Sequence, residues 1–414
     1  MRRFPGTKAL LFVAAATLCA CHAPASRAGG AAQDGASFET RPTEATGQTP
    51  AFPGQTRAPA VHSHTATQVT PVATGLDHPW SLQFLPDGRM LVSERAGRLR
   101  IVAANGQLGA PIAGLPAVYA KGQGGLFDLL LDPDFAHNHT LFFSYFEPRS
   151  GGPGLTVARA TLAVSGDSGS LQDVKAIFRA QPGYSDDKNI GGRLAAAPDG
   201  DLFVTVGDRF ELMDDAQKLD NDLGKVIRIT KDGQPAPGNP FIGKPGALPG
   251  IWSYGHRNPE GAAINPATGK LWTVEHGPRG GDEINIPQAG KNYGWPVITY
   301  GIDYNGMPIE GGITQHAGME QPIYYWDPVI APSGFLFYTG DLFPEWKGNL
   351  FIGGLRGQRV SRMVLNGDKV VGEEWLFTDL HKRIRDVRQG PDGAIYLLTD
   401  ENPGQILKVT PKHP

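Results

Sequence analysis

Cysteine is almost missing from this chain: two occur in 414 residues, Cys19 and Cys21. No disulfide can join two parts of the chain beyond them, so stability there has to come from a large core or a bound metal. Long apolar runs are missing too, and the stretch from Ala9 to Leu18 is too short to span a bilayer comfortably. Charge of one sign does not accumulate. The formal net charge is −3 and no basic run occurs, which leaves no field suited to nucleic acid or another polyanion. Helical periodicity is scarce, whereas turn formers are abundant, with 55 Gly and 35 Pro.

Residues 1–21 read as an export signal. Met1-Arg-Arg is the positive start, Ala9 to Leu18 the apolar stretch, and Leu18-Cys-Ala-Cys21 a small-residue cleavage site. A Cys directly after such a site points to a lipoprotein anchored through Cys21 in the periplasm or outer membrane. Ordinary cleavage nearby, giving a secreted protein, is the alternative. Residues 22–68 are mostly Ala, Gly, Thr, Pro, Ser and Gln, a composition expected of a disordered tether.

Residues 69–414 repeat one local pattern. Leu85-Pro-Asp-Gly-Arg-Met-Leu-Val-Ser93, Ala197-Pro-Asp-Gly-Asp-Leu-Phe-Val-Thr205 and Gly390-Pro-Asp-Gly-Ala-Ile-Tyr-Leu-Leu398 each place a turn before a short apolar strand. Asn265-Pro-Ala-Thr-Gly-Lys-Leu-Trp-Thr273 is a fourth version, and the segments beginning at Asp132 and Trp346 are looser ones. Half a dozen such units stacked radially leave only short, protected sheet edges, which predicts an all-β, six-bladed β-propeller. The long inserts Tyr145 to Gly192 and Asn292 to Pro332 are expected as loops gathered on one face.

The run from Gly277 to Pro296 packs glycines, Asp282-Glu283 and two aromatics into one loop, offering carbonyls and carboxylates together, as a hard cation such as calcium needs. With Trp252-Ser-Tyr-Gly-His-Arg-Asn-Pro-Glu-Gly261 upstream, it resembles the soluble glucose/sorbosone dehydrogenases, quinoproteins that use pyrroloquinoline quinone (PQQ) with calcium. The resemblance runs from about Thr74 to Val409 and implies the propeller fold. It also implies oxidation of aldose sugars at the anomeric carbon to lactones, with electrons passed to a further acceptor.

The resemblance assigns roles residue by residue. Arg383 and Arg385 match the family's Arg-x-Arg at the cofactor, where planar guanidinium forks suit carboxylates. Arg356 stands where relatives carry a cofactor-binding lysine, Gln123 matches the cofactor-binding glutamine, and Arg257 and Asn258 match the pair at the quinone oxygens. Gly277 and Pro278 match the main-chain ligands of the cofactor calcium; Glu283 and the Tyr293 carbonyl match ligands of a second calcium. Tyr324, Tyr325 and Trp326 are candidates for a substrate wall or, equally, for packing. Zinc is disfavoured, because the eleven His are scattered without ligand spacing.

One position breaks the pattern. The family's general base is a histidine four residues before the Arg of a Gly-Gly-Arg-Leu segment, and here that position is Asn189. No His lies between His139 and His256, and an amide cannot accept the proton. Asp186, Asp187 and Asp208 are the candidate replacements, while His256 is not assigned the role because relatives carry it beside the usual base. Two readings follow: a sugar dehydrogenase with an altered base, or a weakly active or non-catalytic PQQ- or sugar-binding propeller.

Overall fold

The structure, a computed structural model, describes residues 35–412, so the expected signal and Cys21 lie outside the described residues. Six antiparallel sheets are present, five of four strands and one of three. Their inner strands are Pro79–Phe84, Leu126–Leu131, Gly191–Ala196, Pro259–Ile264, Pro332–Phe337 and Ile384–Gln389, and they touch one another in that order around a closed ring. The fold is a six-bladed β-propeller. The sixth blade is completed by the first strand among the described residues, Thr67–Leu76, which pairs with the last, Gly404–Pro411. That pairing closes the ring with backbone hydrogen bonds.

The repeated turn is the hairpin between the first and second strands of each blade. In Leu85-Pro-Asp-Gly88, Gly88 N donates to Leu85 O at 2.9 Å and Gly88 has φ +85. Proline presets the first turn residue, and glycine takes the left-handed position that lets the strands re-pair. Gly200 and Gly393 repeat this at φ +91 and +77. Second strands such as Met90–Glu94 and Leu202–Val206 are buried throughout, because each blade is covered on both faces by its neighbours. Apolar clusters fill the gaps: Leu91, Leu129 and Phe143 between the first two blades, Trp272, Phe335 and Ile352 between the fourth and fifth.

The channel is crossed by charge. Arg193, 1% exposed, lies 3.1 Å from Asp128 and 3.3 Å from Asp386, and Arg388 bonds both acids from the sixth blade. This quartet ties the inner strands of three blades together, and removing one member would strand a buried charge.

Two expectations are corrected. The insert from Tyr145 to Gly192 is mostly strand: Gly154–Ser165 and Ser168–Arg179 are the outer half of the second blade, leaving only its end as loop. Residues 35–66, part of the expected tether, lie packed on the propeller. Gln55, Ala58 and Ala60 are buried, and Phe38 stacks on Trp375 with centroids 5.5 Å apart. The segment needs no core of its own, since it borrows one.

Candidate active site

In antiparallel blades, the start of each inner strand and the end of its neighbour share one face of the ring. Pro259 pairs with Glu275 and Ile384 with Thr399, so the residues just outside these pairs converge there. Gln123, Asn189, Arg257, Arg383, Asp208, His276 and Asp400 all come from such positions. The site is a product of blade geometry.

The first chamber is a cleft lined by Trp80, Gln123, Glu260, His276, Arg383 and Arg385, among others. Arg385 donates to Glu260 at 2.6 Å and to Asp400 at 3.3 Å, while its buried Nε has no partner. Arg383 shares Asp400 at 3.1 Å but is far more open, its side chain 47% exposed. Burial pushes the Asp400 carboxyl up, but Arg385 and Arg383 outweigh it and hold the group well below the usual carboxylate range. Glu260 is likewise pushed up by burial and brought far lower by His276 and Arg385. Two guanidiniums therefore face this cleft with donors to spare.

Gln123 also ties the cleft to the next chamber. Its Oε1 accepts from Asn189 N at 2.7 Å, and its own N–H donates to Asp187 O at 3.0 Å. Asn189, at φ +46, turns its side chain to donate from Nδ2 to Asp208 Oδ1 at 2.9 Å. Asp208 is fully buried and also accepts from Phe210 N at 2.8 Å and Trp295 Nε1 at 2.7 Å. Burial raises its carboxyl above the ordinary value, against the pull of Arg257 and these donors. The second chamber is lined by Asp208, Phe210, Arg257, Trp295 and Tyr304. Arg209 braces its wall: nearly buried, it donates to the carbonyls of Pro153, Tyr184, Asp186 and Lys188.

A third, small pocket lies beside Arg257, lined by Glu275, Gly277, Gly281, Glu283, Tyr293 and Thr299, among others. Asp282 is saturated there by the N–H groups of Gly277, Ile330 and Ala331, and Glu275 by Arg257 N and Asn285. Glu283 has Asn285 Nδ2 at 3.0 Å. Burial, then Glu275 and Asp282 beside it, push its carboxyl well above the ordinary range. Its ionised form is therefore disfavoured unless a positive partner stands beside it. Among the described residues no group of three or more His, Cys, Asp or Glu forms a metal cage, so a cation here would draw on backbone carbonyls. Gly277 O accepts from Arg257 at 2.8 Å, and a Cβ on Gly277 would meet Gly280 O at 2.3 Å.

Several predicted residues fall elsewhere. Tyr324, Tyr325 and Trp326 form the outermost strand of the fourth blade and are buried away from the channel. Tyr324 and Trp326 bond Glu373, and Tyr325 stacks on Tyr300 at 3.9 Å, so they pack an edge and build no substrate wall. Arg356 is exposed beside Leu355, held by its backbone N–H on Ile330 O. Asn258 spends its side chain on Gly191 N and Glu260, and Arg257 faces the second and third chambers. His256 is wholly buried between Ser253 and Glu275 and stacks on Tyr293. The Asp187 carboxylate lies against Gly122, and Asp186 accepts from Lys188 N.

Sequence reading passed over His276, Trp80, Glu260 and Asp400. His276 Nε2 is buried without a hydrogen bond, 3.5 Å from Glu260. Its place directly before Gly277-Pro278 was the available signal.

Comparison with known proteins places this geometry. The Glucose / Sorbosone dehydrogenase family profile matches residues 76–408. The aldose sugar dehydrogenase YliI of Escherichia coli (strain K12) is 48% identical over 343 residues, covering 82% of this chain and 91% of that protein. The soluble aldose sugar dehydrogenase of Escherichia coli in its apo form superposes with a TM-score of 0.80 at 47% identity, over 84% of this chain and 100% of that one. The PQQ-bound aldose sugar dehydrogenase of Streptomyces coelicolor gives 0.68 at 29% identity, over 84% and 99%. The chain belongs to the glucose/sorbosone dehydrogenase family.

Proposed function

We propose that this protein is a PQQ- and calcium-dependent dehydrogenase that oxidises aldoses at the anomeric carbon to lactones. The observation that carries the reading is the adjacency of two chambers joined through Gln123 and Asn189. One presents Arg383 and Arg385; the other holds the buried acid Asp208 beside aromatic side chains. When bound, PQQ would supply the two-electron, hydride-accepting chemistry that no side chain offers.

The residues present fit such a group, since Arg385 Nε is a buried donor without a partner and His276 lies in the same cleft with only Glu260, at 3.5 Å, facing its Nε2. Arg383 and Arg385 would hold its carboxylates, and Gln123 would fix its edge. Gly277 and Pro278 would hold the cofactor calcium through their carbonyls, and Glu283 with the Tyr293 carbonyl a second calcium, which would favour the ionised form of Glu283. Phe210, Trp295 and Tyr304 offer faces for the apolar side of a sugar ring. Asp208 takes the hydroxyl proton. Its raised affinity for protons makes it a stronger base than an ordinary carboxylate, and Asn189 can orient the hydroxyl through its amide.

A second reading, a PQQ- or sugar-binding propeller without turnover, draws on one observation. Both Asp208 oxygens already accept hydrogen bonds, and position 189 is an amide. Titrating the purified protein with PQQ and calcium, then adding aldoses with an artificial electron acceptor, separates the two. Sugar-dependent acceptor reduction supports the dehydrogenase, tight binding without reduction supports the second reading, and absence of binding removes both. Export with lipidation at Cys21 belongs to the same proposal and is tested by fractionation and lipid labelling of a Cys21→Ser variant.

A further inference from the structure

Residues 35–66 precede both the family match, which begins at residue 76, and the strand that closes the ring. They run across the fourth and fifth blades. At one end Val61 N donates to Glu373 O and Glu373 N to Pro59 O, each at 3.0 Å, which adds backbone pairing to the edge strand Lys369–Leu376. At the other end the contacts are with the segment 279–301, which contributes Gly281, Glu283, Tyr293 and Thr299 to the third pocket.

Those contacts are polar and specific. Glu44 Oε2 lies 2.5 Å from Arg279 Nε, and Gln48 Nε2 donates to Thr299 O at 3.2 Å. Tyr300 OH donates to Gln55 Oε1 at 3.0 Å, and Gln55 is fully buried. The N–H groups of Glu44 and Ala45 cap both oxygens of Asp327 at 2.8 and 3.0 Å. Asp327 in turn abuts Gly280, where a Cβ would stand 3.0 Å from its carboxylate. Burial raises the Asp327 carboxyl, so without the two N–H groups this acid would sit poorly paired beneath the Gly280-Gly281 turn. The arm thus grips the loop at Arg279, Thr299 and Tyr300 and supports it through Asp327.

We propose that residues 35–66 are a built-in brace, with Glu44 and Gln48 as positioning residues that hold the 279–301 segment in the geometry that binds a divalent cation. This rests on the calcium reading of the third pocket. A cation site built from carbonyls depends on where the backbone stands, and a brace on that backbone sets the affinity without supplying a ligand.

The test is calcium titration by calorimetry of the cofactor-free protein, beside melting curves in calcium and in chelator. The double variant Glu44→Ala/Gln48→Ala, and a deletion of residues 35–62, should bind calcium about tenfold or more weakly. Ser63→Ala, at the far end of the arm, where Ser63 bonds Glu374 and Trp346, should bind as the unaltered chain does. Unchanged calcium affinity in the folded double variant, with only a lower melting temperature in chelator, overturns the inference and leaves the arm a stabilising strap. No calcium uptake by the unaltered chain would overturn the cation reading itself, and the brace with it.

Discussion

Asn189 donates its side-chain N–H to Asp208 across 2.9 Å. The acid is thereby held by an amide, and it is the one carboxylate among the residues lining the second chamber that is fully buried. Asp208→Asn should lower kcat by roughly 10²- to 10⁴-fold while PQQ still binds, because a base is lost and the cofactor cleft is untouched. Asn189→His should raise kcat in the same assay. Full activity in Asp208→Asn would return the proton to another group.

The pH profile should carry the same signature. A base works only when ionised, and the Asp208 carboxyl is raised above the ordinary carboxylate value, chiefly by burial. The rate should therefore fall, as pH drops, at a higher pH than an ordinary carboxylate would give. Stability runs the other way. Between the unfolded and folded pKa values the folded state binds more protons, so this group's contribution to stability declines as pH rises through that window. Asp208→Asn should remove both dependences, which paired rate and melting profiles across the acid range would register.

Arg385 offers a test of the first chamber. Its two ion pairs and unpartnered Nε make it the cation best placed to meet a cofactor carboxylate. Arg385→Lys keeps the charge but loses the fork, and should weaken PQQ binding about ten- to a hundredfold with the propeller intact. Arg383→Lys, on a side chain 47% exposed, should cost less. Equal affinities in a fluorescence titration would argue against a carboxylate at this position.

What could be read beforehand divides along the range of the forces involved. The Pro-Asp-Gly hairpins were legible because turn chemistry is local, and each one found its place between the first two strands of a blade. Gln123 and the Arg383-Ile-Arg385 step were legible because their motifs sit at strand starts that converge on one face. Tyr324 to Trp326 were not, since apolar alternation does not say whether a strand is the innermost or outermost of its blade. The arm was hidden for a related reason. Composition reports whether a segment can bury its own surface, whereas Gln55 and Ala45 are held by groups hundreds of residues away. His276 and Asp400 look like any lone histidine and acid until the ring brings them beside Arg385.

Glu283 provides the sharpest test of the metal assignment, because one substitution should move two melting temperatures in opposite senses. In the metal-free protein its carboxyl is raised by burial and by the nearby Glu275 and Asp282, so the ionised form is unfavourable where it stands. Glu283→Gln removes the ionisable group at nearly constant shape. In chelator the variant should melt higher than the unaltered protein, because a buried carboxyl with acidic neighbours is replaced by a neutral amide. In millimolar calcium the order should reverse, since the unaltered protein gains stability from a ligand that binds only the folded state and the variant gains little. Scanning both proteins with and without calcium decides the matter. A variant that calcium stabilises as strongly as the parent would show that Glu283 is no ligand.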